Sequence, residues 1–187
     1  YLQFQSDAGP IENKISGDGV IRVAGEVSVK SSDISDYHGE WDVLGKLKTV
    51  DGSFTTSSQW GTGNVNIEPQ GSVVVTNNSD SSLFVFDNTL SGSGTLLVNF
   101  SGSGNGTDLY TPTFKIQQGT TSEFTGMVEL AGEKNKKVVY ILDSDELSTS
   151  GIRVNDNSVL SVGRDDSSKE TFTLGKLDIA GGELNIG

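Results

Sequence analysis

One short unit comes back along this chain: a branched apolar residue, a tight glycine turn, then alternating apolar positions. Ile15-Ser16-Gly17-Asp18-Gly19-Val20-Ile21-Arg22-Val23 returns as Leu90-Ser91-Gly92-Ser93-Gly94-Thr95-Leu96-Leu97-Val98. A weaker echo is Ile179-Ala180-Gly181-Gly182-Glu183-Leu184-Asn185-Ile186. A repeated strand–turn–strand unit cannot bury its apolar face alone, so it implies an array in which each unit stacks on its neighbours.

Two further pairs support the array. Val65-Asn66-Ile67-Glu68-Pro69-Gln70-Gly71-Ser72-Val73-Val74-Val75 aligns without a gap to Ile152-Arg153-Val154-Asn155-Asp156-Asn157-Ser158-Val159-Leu160-Ser161-Val162. Tyr37-His38-Gly39-Glu40-Trp41-Asp42-Val43 aligns to Phe124-Thr125-Gly126-Met127-Val128-Glu129-Leu130. Both pairs are 87 residues apart, and Ile15 and Leu90 are 75 apart, so the spacing predicts long-period units with loop insertions. The Gly-, Asn- and Thr-rich stretch Ser101 to Pro112 is the expected insertion. Strands of roughly four to six residues separated by frequent turn signals read as all-β. No window sustains helical periodicity, and Val138-Val139-Tyr140-Ile141-Leu142 reads as a buried strand.

With 187 residues, 33% hydrophobic and 24 of them glycine, the chain suits one domain with a thin, elongated core. The expected architecture is a right-handed parallel β-helix of roughly eight coils, spanning residues 1–187 as a single segment. Inward positions stack in ladders about 4.8 Å apart. The expected inward set is Ile15, Val23, Val65, Ile67, Val73, Val75, Leu90, Leu96, Val98, Val128, Leu130, Val139, Ile141, Val154, Leu160 and Val162. Phe54, Phe84, Phe86, Phe100, Phe114, Phe124 and Phe172 are available to stack at corners or to cap a widened core. Corner glycines are expected to supply positive φ. The rival β-sandwich requires hairpin turns, of which Asp51-Gly52 is the main signal.

The repeats carry a family likeness. Ser91-Gly92-Ser93-Gly94-Thr95-Leu96 with Phe124-Thr125-Gly126-Met127-Val128, and Ser16-Gly17-Asp18-Gly19-Val20 with Tyr37-His38-Gly39-Glu40-Trp41, resemble the strand repeats of bacterial autotransporter (type V secretion) passenger domains. Gly61-Thr62-Gly63-Asn64-Val65-Asn66-Ile67 is similar to them too. The resemblance implies a passenger segment cut from a longer chain, exported across the outer membrane with the help of a C-terminal barrel in the parent, and displayed at the bacterial cell surface or secreted. It further implies the roles associated with such passengers, which are virulence, adhesion and biofilm formation.

Charge and composition narrow the chemistry. The net charge of −12 disfavours nucleic acid and anionic membrane as partners, because both demand a cationic footprint. Zero cysteine excludes a disulfide scaffold and thiolate metal sites. No apolar run approaches the roughly 18 residues of a membrane span, so direct membrane insertion is not expected. The only histidine, His38, lies between Asp36 and Glu40 without a nucleophile elbow nearby, and reads as a surface residue at a coil corner. The acidic groups Asp143, Asp145 and Glu146, then Asp165 and Asp166, then Asp33 and Asp36 are where a polysaccharide-cleaving β-helix enzyme would place paired carboxylates, or where calcium would bind. Each group falls where a turn is expected and reads as solvated surface. Gly17-Asp18-Gly19 and Gly92-Ser93-Gly94 lead into strands, whereas a phosphate-binding turn leads into a helix. Lys134 to Lys137 is a short basic run in an acidic chain.

The expected function is therefore non-enzymatic, with no cofactor, metal or catalytic residue: adhesion to a host-surface molecule or self-association with another copy. Ser101 to Pro112, Asp33 to Glu40 and Asp143 to Leu147, together with outward strand faces, are the candidate contact regions. The alternatives are a structural stem or folding-promoting (autochaperone-like) segment that supports secretion, and a polysaccharide-acting enzyme.

Overall fold

Among the described residues, nineteen strands and almost no helix follow from the alternating pattern. The structure is a computed structural model that describes residues 1–11, 13–30, 34, 36–49, 57, 60–77, 83–100, 113–116, 123–132, 138–142, 150–162 and 175–186. Ile34 is the one described residue with helical backbone. The strands are β1 (Leu2–Phe4), β2 (Ala8–Ile11), β3 (Val20–Val23), β4 (Glu26–Val29), β5 (Glu40–Val43), β6 (Lys46–Thr49), β7 (Val65–Ile67), β8 (Ser72–Asn77), β9 (Leu83–Phe86) and β10 (Leu90–Gly92). They continue as β11 (Thr95–Phe100), β12 (Thr113–Ile116), β13 (Glu123–Phe124), β14 (Met127–Gly132), β15 (Val138–Leu142), β16 (Gly151–Asn155), β17 (Ser158–Val162), β18 (Lys176–Ala180) and β19 (Glu183–Ile186).

Every ladder between these strands is parallel, so the chain is a β-solenoid of stacked coils and not a sandwich of hairpins. The first sheet runs β1-β3-β5-β7-β10-β13, and the second runs β18-β16-β14-β11-β8-β6-β4-β2. A third side begins at β9, which pairs with β12; β15 pairs with β17 and β17 with β19, and β12 lies beside β15. Asp51-Gly52 lies outside the described residues, as does Ser101 to Pro112.

Alternation along each strand sorts residues to two faces. In β5, Trp41 and Val43 are buried while Glu40 and Asp42 are half-buried, and β7 and β14 repeat the pattern. Stacking then makes columns: Ile21, Trp41, Val65 and Leu90 in the first sheet, and Val27, Leu47, Val73, Leu96, Val128 and Ile152 in the second. All ten are buried.

The expected inward set holds for Val23, Val65, Ile67, Val73, Val75, Leu90, Leu96, Val98, Val128, Leu130, Val154 and Leu160. Ile15 is only partly buried against the core. The side chains of Val139, Ile141 and Val162 lie outside the described residues, but in β15 Tyr140 is buried and shares a rung with Leu160. Its hydroxyl sits 2.7 Å from the Ala131 carbonyl and 3.1 Å from that of Val98, which gives the phenol a polar partner inside the core. Of the aromatic set, Phe84, Phe86 and Phe124 are buried. Phe86 meets Trp60 edge-on, with ring centroids 5.9 Å apart. Phe54 and Phe172, and the side chains of Phe100 and Phe114, lie outside the described residues.

The long-period alignments do not match equivalent sides. Val65-Asn66-Ile67 forms β7 of the first sheet, whereas its partner Ile152-Arg153-Val154 lies in β16 of the second. The true rungs are shorter: Ile21 pairs with Trp41, 20 residues on, and Leu96 with Val128, 32 residues on. Each corner uses the same chemistry, glycine or polar turn residues before an alternating strand, so text alignment confuses one corner with another.

The terminal rungs leave their inward rows open. Leu177, Ile179, Leu184 and Ile186 are exposed, although they share columns with the buried Ile152, Val154 and Leu160 or with Val162. Leu2 at the other end is exposed as well. Solenoid contacts run mainly between neighbours, so amide hydrogens of β1, β18 and β19 are expected to exchange well before those of β5, β8 and β11. Hydrogen exchange with uniform protection along the stack would contradict this.

Candidate functional site

The two long sheets turn rows of polar and charged side chains outward. On the first, the register places Gln3, Arg22, Asp42, Asn66, Ser91 and Glu123 in one row. Arg22 reaches Asp42 at 3.5 Å, and Asn66 Nδ2 donates to Asp42 at 3.3 Å and to Glu68 at 3.1 Å. Ser91 Oγ lies 3.4 Å from Asn66 Oδ1. Most of these groups are already satisfied by their neighbours one coil away.

The second sheet carries a different row. Lys48, Val74, Leu97, Glu129, Arg153 and Asp178 share one outward column, which the buried Ser28 continues to a seventh rung. Arg153 bridges Glu129 at 2.8 Å and Asp178 at 3.0 Å. At the other end Glu26 takes Lys46 at 3.2 Å and also Lys48. The hydrogen bonds from Lys48 and then Lys46 hold the Glu26 carboxyl below its ordinary range. Arg153 is held above its ordinary value, first by the hydrogen bond to Asp178 and then by the charge of Glu129. Between these two ionic groups the row is aliphatic.

His38 is exposed, and its Nδ1 is 2.7 Å from Thr62 Oγ1, which pins one coil corner to the next. Neighbouring Tyr37 is buried, with its hydroxyl 2.7 Å from the Glu40 carbonyl and 2.8 Å from that of Gly19. Burial pushes the phenol up to about 12, so it stays a neutral donor. Asp36 is bonded to Lys14, and that hydrogen bond lowers its carboxyl below the ordinary range. Asp33, Asp143, Asp145, Glu146, Asp165, Asp166 and Lys134 to Lys137 all lie outside the described residues. Among the described residues, no three His, Cys, Asp or Glu side chains come close enough to hold a metal ion.

The sequence pointed to outward strand faces but not to which residues share a row. Neighbouring members of a row lie 19 to 32 residues apart and come together only through the rung register. The available signal was the single outward residue between two inward ones in each strand, such as Lys48, Val74 and Glu129, aligned rung by rung.

Compared with known proteins, the chain matches no family model, no curated protein and no solved structure.

Proposed function

We propose that the chain is a non-enzymatic passenger segment of the autotransporter kind, exposed at the bacterial cell surface or released, and working in adhesion or self-association. Its partner is a host-surface molecule or another copy of itself, and in a longer parent it would precede an outer-membrane barrel. The solenoid is proposed to wind right-handed through roughly eight coils. In support, the second sheet has eight rungs, and crossovers between parallel strands strongly favour the right hand.

The observation that carries this reading is the pair of broad outward faces. Parallel stacking holds half-buried side chains at fixed spacing along both long sheets, so each face is a rigid platform for many weak contacts. The test is display of the 187-residue chain on a non-adherent cell, scored for adhesion and clumping and separately for secretion. Display is expected to increase adhesion or clumping. If only secretion depends on the segment, it is a stem and the adhesive reading fails.

A further inference from the structure

The order of side chains on the outward face of the second sheet is self-complementary. We propose that this face pairs with the same face of a second copy, related by a two-fold axis that runs parallel to the strands between β8 and β11. The inference rests on the self-association reading above and names its partner and surface.

Sheets that meet face to face across such an axis run in opposite coil order, while strand positions stay in register. The axis falls at the midpoint of the eight rungs. Rung by rung, Val74 then faces Leu97 of the other copy, and Lys48 faces Glu129. One rung further out, Arg153 lies opposite Ser28, which is buried and brings no charge. In the flanking column Ser72 faces Thr95, and Lys46 faces Met127. The centre is thus aliphatic and small, and the nearest charges on either side are opposite in sign. A face that presented like charges at that distance would repel its own copy.

The charges are also placed to act between copies. Lys48 and Glu129 are only half-buried, and each is held in extended strand geometry by its neighbours, Glu26 and Arg153. Their ordering is therefore already achieved before a partner arrives. The first sheet lacks this design: its outward row has no aliphatic centre, and its polar groups are largely paired along the stack.

Size predicts a weak dimer. Seven spacings of about 4.8 Å and five residues of about 3.3 Å make a face roughly 34 by 16 Å, at the low end for a specific interface. Weak pairs suit a displayed protein, since many copies on one cell act together. The net charge of −12 opposes association at low salt, so the test belongs at physiological ionic strength.

Sedimentation equilibrium of the whole chain at up to ~1 mM would measure the dimer. Lys48→Glu and Glu129→Lys should each weaken it about tenfold or more, because each creates two repelling contacts across the axis. Mixing the two variants is the decisive step. A heterodimer of Lys48→Glu with Glu129→Lys has two attractive contacts again, one the original Lys48–Glu129 pair and one with its signs exchanged, and should form at close to the original affinity. Each variant's success in the mixture also shows that it is folded. A monomeric original chain, homodimers unaffected by either substitution, or variants that are folded by circular dichroism but fail to pair when mixed would each overturn the proposal. Failure of the wider reading is separate: it would appear as display without adhesion or clumping, whatever the sedimentation shows.

Discussion

Replacing Trp41 by alanine is expected to cost about 3–5 kcal/mol, the range for truncating a large buried aromatic. Trp41 is fully buried and stacks in one column with Ile21 and Val65. It meets the Tyr37 ring edge-on at 5.5 Å, and its Nε1 donates to the Trp60 carbonyl at 3.0 Å. One side chain thus joins the first sheet to the corner that carries Tyr37 and to the segment that carries Trp60. Set against a typical stability of about 5–15 kcal/mol, the loss should shift the denaturation midpoint far to lower denaturant. Trp41→Phe keeps most of the apolar contact and loses the N–H, so it should cost much less, about 1–2 kcal/mol. Equal midpoints for Trp41→Ala and the original chain would show that this column does not hold the stack together.

Alternation made most of the core legible. Residues such as Val73 and Val75, or Leu96 and Val98, flank a single outward residue, and period-two patterning leaves them one buried face to share. Trp41, Tyr37, Trp60 and Tyr140 were not assigned to the core, because a polar tip makes such residues ambiguous until a partner is visible. Trp41, Tyr37 and Tyr140 find partners in other coils: the Trp60 carbonyl for Trp41, the Gly19 carbonyl for Tyr37 and the Val98 carbonyl for Tyr140. Coil length was hidden for another reason. Connections range from the two residues between β3 and β4 to the fifteen between β6 and β7, so rungs occur at unequal intervals. The outward rows inherit that irregularity. Lys48, Val74 and Glu129 are unremarkable in a text of Ser, Thr and acidic residues, and only register makes them one row.

The glycine motif also divides into two physical roles, and the division supplies a second large effect. In Ser91-Gly92-Ser93-Gly94, Gly92 combines both roles: φ +89° serves the left-handed turn that the sequence suggested, and a Cβ on it would lie 2.1 Å from the Ile67 carbonyl oxygen. Gly94 has no such backbone. A Cβ there would lie 2.3 Å from the Glu68 carbonyl oxygen and 2.6 Å from that of Gly71. The same close approach recurs along this corner. A Cβ on Gly45 would meet the Gly25 oxygen at 2.2 Å, and one on Gly126 would meet the Gly94 oxygen at 2.0 Å. These oxygens are the acceptors that hold the coils together. Lys46 N donates to Gly25, Ser72 N to Gly45, Thr95 N to Gly71, Met127 N to Gly94 and Gly151 N to Gly126. A methyl group at position 94 can enter only by pushing apart the rung that Thr95 N and Gly71 O close. Gly94→Ala is therefore expected to cost about 3 kcal/mol, the upper end of ordinary overpacking. Gly17→Ala is the matched control. Gly17 has φ +101° but nothing within 4 Å of its would-be Cβ, so only backbone strain of about 1–2 kcal/mol opposes it. Chemical denaturation of both variants should rank Gly94→Ala as clearly the worse. The reverse ranking would mean that backbone conformation, and not the close approach of successive coils, dictates glycine at these corners.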